Sequence, residues 1–286
     1  MIQDFVKKWV LPPGITSLMG RFVHARGDGH EKQFTAEEQT LFARNEMLKN
    51  RHKGERCFIL GAGSSVKNQD LKKLRGEIVI SVSNTFVHSD FPVFRPRYHV
   101  LPALLRSHGQ LHSEGEFVGW LKEMEQRTFD ADMVLHIGDR NMIVQNDLFK
   151  NRSLYWVDYA PWDEASKPEI DLSRVPQIWS VSELAITIAV HMGFEKIYLL
   201  GIDHDWFNGV FAYFYDEMTE HKLKPDPSTV AFADSEFQMR RHAYIFRKYK
   251  YLYGLKTNIY NANANPRHYL DVFPKVDYDA LFKSSR

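Results

Sequence analysis

The sequence predicts an α/β fold: a doubly wound, mostly parallel sheet carrying a lid-like insertion. Three observations lead there. Cys57, Phe58, Ile59 and Leu60 form an uninterrupted apolar run, as a strand covered on both faces requires. The run enters Gly61-Ala62-Gly63-Ser64-Ser65, where two glycines permit a sharp turn and a serine can cap a following helix. Much later, Ser180 and Ser182 introduce a helix that shares Leu184, Ala185, Ile188, Ala189 and Met192 on one face. Gly193 stops that helix, and Lys196–Leu200 returns as a second buried strand. Strand, turn, helix and strand in that order make right-handed crossovers, and the expected sheet is Rossmann-like.

The remaining elements follow in order. Thr35-Ala36-Glu37-Glu38 reads as a cap and acidic first turn of a helix reaching about Asn50, and Gly54 stops it. Strands are expected over Ile78–Ser83, Tyr98–Leu101, Met133–His136 and Leu154–Val157, with a helix over Glu114–Arg127. Tyr159–Pro176 reads as a polar loop. Phe207–Val230 has aromatics, charges and prolines without a period, so the lid-like insertion is placed at about 207–232. A long helix over Asp234–Tyr253 and a strand near Thr257–Asn261 complete the chain. The expected division is an N-terminal helical extension, 1–54, and a nucleotide-binding domain, 55–286.

Composition narrows the class. With 44% hydrophobic and 26% charged residues, the 286-residue chain is an ordinary globular one. A net charge of +1 speaks against nucleic acid as a partner, since neutralising phosphates takes a basic excess. The single cysteine, Cys57, allows neither an intrachain disulfide nor a cysteine-based metal site, which suits a cytoplasmic setting. Ile2, Phe5, Val6 and Trp9 share a helical face flanked by Lys7 and Lys8. Residues 1–11 are therefore either a peripheral contact at the inner face of the membrane or a helix docked on its own domain or in an oligomer.

In open parallel sheets ligands lie beyond the carboxyl ends of the strands. Projecting there are Gly61, Ala62, Gly63, Ser64 and Ser65; Ser83 and Asn84; Ser180, Ser182 and Glu183; Asp203, His204 and Asp205; and Asn261, Asn263 and Asn265. Amide and hydroxyl groups of this kind suit the base edge and hydroxyls of a nucleotide. The turn has no third glycine for a dinucleotide fingerprint and no Lys-Ser/Thr pair for a P-loop, so an ordinary ligand-free turn is the competing reading. Asp203 and Asp205 can hold Mg²⁺, or Asp203 can cap its own loop. His204, His221 and His242 are candidate general bases, titrating near neutrality. Arg240, Arg241 and Lys248 either hold an anion or form a solvated helix face. Tyr213 and Tyr215 either bind a leaving phosphate or line the underside of the lid.

LGAGSSVK, SVSELAITIAVHMGFEKIYLLGID and IYNANANP…LDVFPKVDYDALF resemble three blocks of one superfamily. It joins bacterial family-42 sialyltransferases to domains like 6-hydroxymethylpterin diphosphokinase (DUF115 domains). The sialyltransferase side implies a CMP-sugar donor, inversion at the anomeric carbon, no required cofactor, and a glycan or glycolipid acceptor in lipopolysaccharide or other surface-polysaccharide synthesis. On that resemblance Gly61, Gly63, Ser65, Asn84 and Ser180 contact the nucleotide, Tyr213 steadies the leaving phosphate and His242 is the base. Gln177 stands where those enzymes carry an arginine. The diphosphokinase side implies ATP and Mg²⁺ held by Asp203 and Asp205. A member of the fold that binds nucleotide or glycan without catalysis is the third expectation.

Overall fold

The computed structural model describes residues 32–108, 112–162, 170–204, 213–215, 235–255, 258–264 and 269–283, excepting the side chains of 107–108 and 235–238. The chain divides into two compact units, Met1–Gln39 and Thr40–Arg286. In the first unit, Thr35 and Glu38 form the expected reciprocal cap: Thr35 N–H donates to Glu38 Oε2 at 2.8 Å and Glu38 N–H to Thr35 Oγ1 at 3.2 Å. Residues 1–31, with the proposed amphipathic face of 1–11, lie outside the described residues.

The large unit is built on seven strands: β1 Arg56–Leu60, β2 Ile78–Val82, β3 Tyr98–Val100, β4 Asp132–His136, β5 Leu154–Val157, β8 Lys196–Leu200 and β9 Asn258–Asn261. A separate two-stranded ladder pairs β6 Tyr159–Ala160 with β7 Val175–Pro176. The order is β5-β4-β3-β2-β1-β8-β9, with every pairing parallel. The chain moves outward from β1 to β5, then crosses back to lay β8 on the other side of β1. The direction of winding reverses there, so the topological switch point lies between β1 and β8. This is the doubly wound Rossmann-like sheet that the sequence predicts.

The helices are α1 Ala36–Ala43, α2 Phe91–Phe94, α3 Leu104–His108, α4 Glu114–Arg127, α5 Arg140–Gln145, α6 Val181–His191 and α7 Ser235–Tyr253. α6 lies over β1, β2 and β3 on one side and against α7 on the other. Covered that way, Ser182 through Ala189 are all buried. Gly193 ends α6 in the left-handed region at φ +76°, as expected of a residue just past the C-cap. No described helix is long and apolar enough to cross a membrane.

Four local expectations are corrected. After Gly63 the chain makes a short 3₁₀ turn, Ser64–Asn68, capped by Gly63 without a side-chain bond, where an α-helix capped by Ser64 or Ser65 was expected. The helix begun at Ala36 changes to 3₁₀ over Arg44–Leu48 instead of running to Asn50. The ends of the polar loop 159–176 close on each other as β6 and β7. Residues 40–54 group with the sheet: Asn45 Nδ2 donates to Trp156 O at 2.7 Å, and the Asn50 and His52 amides donate to His191 O and Met192 O.

Candidate functional site

The switch point is closed at its base by two glycines. A Cβ on Gly61 would stand 2.4 Å from Gly201 O, and one on Gly201 would stand 2.4 Å from Gly61 O. Only glycine lets the two strand ends approach so closely. Gly201, at φ +61°, also needs the left-handed conformation.

Above them the GAGSS turn is laced to the end of β8. Gly61 N–H donates to Leu200 O at 2.7 Å and Gly63 N–H to Gly201 O at 2.8 Å. Ser65 N–H donates to Asp203 Oδ2 at 2.9 Å, and the Val66 amide turns back to Gly63 O. The GAGSS turn, expected to face a ligand beyond the strand ends, spends much of its donor capacity internally. Asp203, 6% exposed, braces the turn. Its other expected partner in metal binding, Asp205, lies outside the described residues. Among the described residues no three of His, Cys, Asp and Glu come together as a metal-binding group.

Residues 213–215 cross the rim beside this turn. Tyr213 bridges Gly63 in antiparallel sense, and Phe214 N–H donates to Ala62 O at 3.0 Å. Tyr213 and Tyr215 stack at 5.1 Å. Asn84 lies at the end of β2, after Ser83 at φ +45°. Its Nδ2 donates to Tyr215 OH at 3.3 Å, and its Oδ1 accepts Trp120 Nε1 at 2.9 Å. Left-handed non-glycine residues persist where surrounding contacts enforce them, and His204, at φ +50°, is a second on the same rim. The rest of the proposed lid, including His221, lies outside the described residues.

The N-terminus of α6 forms the other wall. Ser180 is its N-cap, and Glu183 completes a capping box, its Oε2 accepting Ser180 N–H at 2.7 Å and Trp179 N–H at 2.8 Å. Glu183 is fully buried, and its Oε1 meets Lys248 Nζ at 2.8 Å. Lys248 also donates to Pro176 O and Gln177 O. Burial lowers the Lys248 pKa against the opposing pull of Glu183. Lys248 is thus a buried partner of α6, which corrects the solvated-face reading. Arg241, one of the same basic set, is half-buried with Nη2 on Trp179 O at 2.6 Å.

A chain of hydroxyls runs inward from Ser180. Ser180 Oγ and Ser182 Oγ are 2.6 Å apart, Ser182 Oγ and Tyr249 OH 2.7 Å, and Tyr249 OH and His204 Nε2 2.7 Å. Ser182, Tyr249 and His204 are buried, so of the two proposed serines only Ser180 stands partly open. His204 and His242 face each other edge-on with centroids 6.0 Å apart. Burial lowers His204 to about 3 and His242 to about 4, with nearby Arg241 adding to both shifts. Both rings are neutral at pH 7.

Asn261 and Asn263 serve the rim's own framework. Asn261 Nδ2 donates to Leu270 O and its Oδ1 accepts Asn263 N–H, while the Asn263 amide clasps both Ile202 N–H and Ile202 O. Asn265 lies outside the described residues. Two contributors escape the sequence reading. Tyr249 sits among apolar helix positions with nothing to mark its hydroxyl. Lys275, whose amine bonds Asn263 O and feels Asp203, comes from the tail, where Lys275 bridges Asn261.

The neutral histidines carry a pH consequence. His99, also buried, titrates at about 3. In the unfolded chain all three titrate near 6.5. Below that value the unfolded state takes up protons that the folded state refuses, so stability is complete above about pH 6.5 and is lost progressively as pH falls toward about 3. Each histidine contributes at most about 1.4 kcal/mol per pH unit. Thermal melts at pH 7.5 and pH 5 are expected to show the lower midpoint at pH 5, and equal midpoints would refute the burial of these rings.

Compared with known proteins, the chain matches no family model and no curated sequence.

Proposed function

We propose that this protein is a glycosyltransferase that takes a sugar from a nucleotide, CMP by preference, and passes it to a hydroxyl of a surface glycan or glycolipid. The observation that carries this reading is His242. It is a neutral imidazole near the switch point, on the helix whose Arg241 holds the Trp179 carbonyl next to Ser180. A neutral imidazole has a lone pair for the acceptor proton, and the anionic phosphate of a bound donor would raise its low pKa toward the working range in which a general base is effective. In the proposed step the acceptor oxygen attacks the anomeric carbon as the bond from that carbon to the phosphate oxygen breaks. The acceptor proton passes to His242, and CMP leaves with the bonding pair. One displacement inverts the anomeric centre.

The other residues take supporting parts. Ser180, Asn84 and the outer edge of the Gly61–Ser65 turn would hold the nucleotide. Tyr213, which bears electrostatically on Arg241, would donate to the departing phosphate. The diphosphokinase reading is weaker, because one oxygen of Asp203 already accepts the Ser65 amide.

A thermal-shift series with CMP, UDP, GDP and ATP, each with Mg²⁺ or with EDTA, tests the reading. CMP is expected to raise the melting temperature equally in both buffers, by about 2.7 kcal/mol of added stability at a hundredfold excess over Kd. A shift only with ATP and Mg²⁺, or none with any nucleotide, would overturn it. His242→Ala should keep the CMP shift while transfer falls by about 100-fold or more.

A further inference from the structure

We propose that Tyr249 is a positioning residue which fixes the tautomer of His204, keeping the ring proton on Nδ1 and so reserving the role of base for His242. The chain Ser180–Ser182–Tyr249–His204 has three links of 2.6 to 2.7 Å, with its last three members buried. Each hydroxyl owns one proton, so if Nε2 accepts, all three links must run toward it, with the ring proton on Nδ1. If Nε2–H donates instead, Tyr249 must accept from it and turn its own proton to Ser182. The two arrangements contain the same atoms, and they differ by the transfer of one ring proton from Nδ1 to Nε2.

Acidity decides between them. A phenol, with a pKa near 10, is a stronger donor than an alcohol or a neutral imidazole N–H. Burial raises Tyr249 well above its ordinary value, so it keeps its proton, and burial keeps His204 neutral with one lone pair to offer. The favoured sense is Ser180 to Ser182 to Tyr249 to Nε2. In that state the Nε2 lone pair is occupied and Nδ1 carries hydrogen, so neither nitrogen of His204 can deprotonate an acceptor.

The assignment of the base to His242 rests on the proposed glycosyltransferase reading, whereas the tautomer is a property of the free protein. The test is long-range ¹H–¹⁵N NMR on histidine-labelled protein without nucleotide, with His204→Gln identifying the resonances. Wild type is expected to show His204 Nε2 unprotonated and Nδ1 protonated at pH 7. In Tyr249→Phe, which keeps the ring and loses the hydroxyl, the proton should shift toward Nε2. In Ser182→Ala the wild-type pattern should persist, because the phenol still donates. A protonated Nε2 in wild type, or a Tyr249→Phe spectrum identical to wild type, overturns the proposal. If Tyr249→Phe fails to fold, the wild-type spectrum alone decides. Failure of CMP to bind would remove the function and leave this result standing.

Discussion

Gly201→Ala is expected to remove a large part of the protein's folding stability. The new Cβ would lie 2.4 Å from Gly61 O, 2.5 Å from Val66 Cγ2 and 2.9 Å from Gly61 C, on a backbone at φ +61°. Two of the three obstacles are backbone atoms at paired strand ends, so relief requires parting β1 from β8 at the centre of the sheet. Overpacking costs about 1–3 kcal/mol and the left-handed conformation about 1–2 kcal/mol more. Together these approach the lower end of the roughly 5–15 kcal/mol that holds a domain together. Gly76→Ala is the control. Gly76 has φ +83° but nothing within 4 Å of its added Cβ, so it isolates the conformational part at about 1–2 kcal/mol. Cys57 is fully buried in β1 with its pKa raised by burial, so its reaction with a thiol reagent reports unfolding directly. Gly201→Ala should expose it at a clearly lower denaturant concentration than Gly76→Ala does. Equal stability of the two variants would contradict the tight closure of the switch point.

Lys248→Met should be nearly as damaging, by a different route. It removes the cation from Glu183, which is fully buried and holds the amides of Trp179 and Ser180. Breaking a buried pair on one side costs about 3–5 kcal/mol, because the remaining charge is stranded. Pairing it with Glu183→Gln removes that charge and keeps an amide oxygen for the two N–H donors, so the double variant should recover most of the loss. Chemical denaturation of the two single variants and the double variant gives the coupling directly. A double variant as unstable as the sum of the singles would mean that the two residues do not act as a pair. Since Glu183 orders the turn carrying Ser180, CMP binding is expected to weaken in Lys248→Met and to return in the double variant.

The sequence made the framework legible wherever neighbours in the chain decide the structure. The apolar runs of β1 and β8, the cap at Thr35, the serine-led start of α6 and the glycine after it are local signals, and each appears in the fold as expected. The GAGSS turn reads less well because its partners arrive from far away. Ser65 meets Asp203 across 138 positions, and Gly63 meets Gly201 at the same separation. Those contacts take amides that the local pattern offers to a ligand. The Ser182–Tyr249 link spans 67 positions between two helices, and a buried tyrosine in an apolar stripe carries no mark of its hydroxyl's partner. Lys248 misleads for the same reason, since a lysine reads as solvated until the buried carboxylate facing it is known.

Backbone ¹H–¹⁵N NMR during a CMP titration tests most directly whether the β1–β8 rim is where the nucleotide sits. The largest shift changes are expected at Ala62, Ser64, Asn84, Ser180 and His242, with β4 and β5 unmoved. Changes concentrated around His136 and Asp158, the buried pair 3.1 Å apart at the far end of the same sheet edge, or no changes at all, would contradict it.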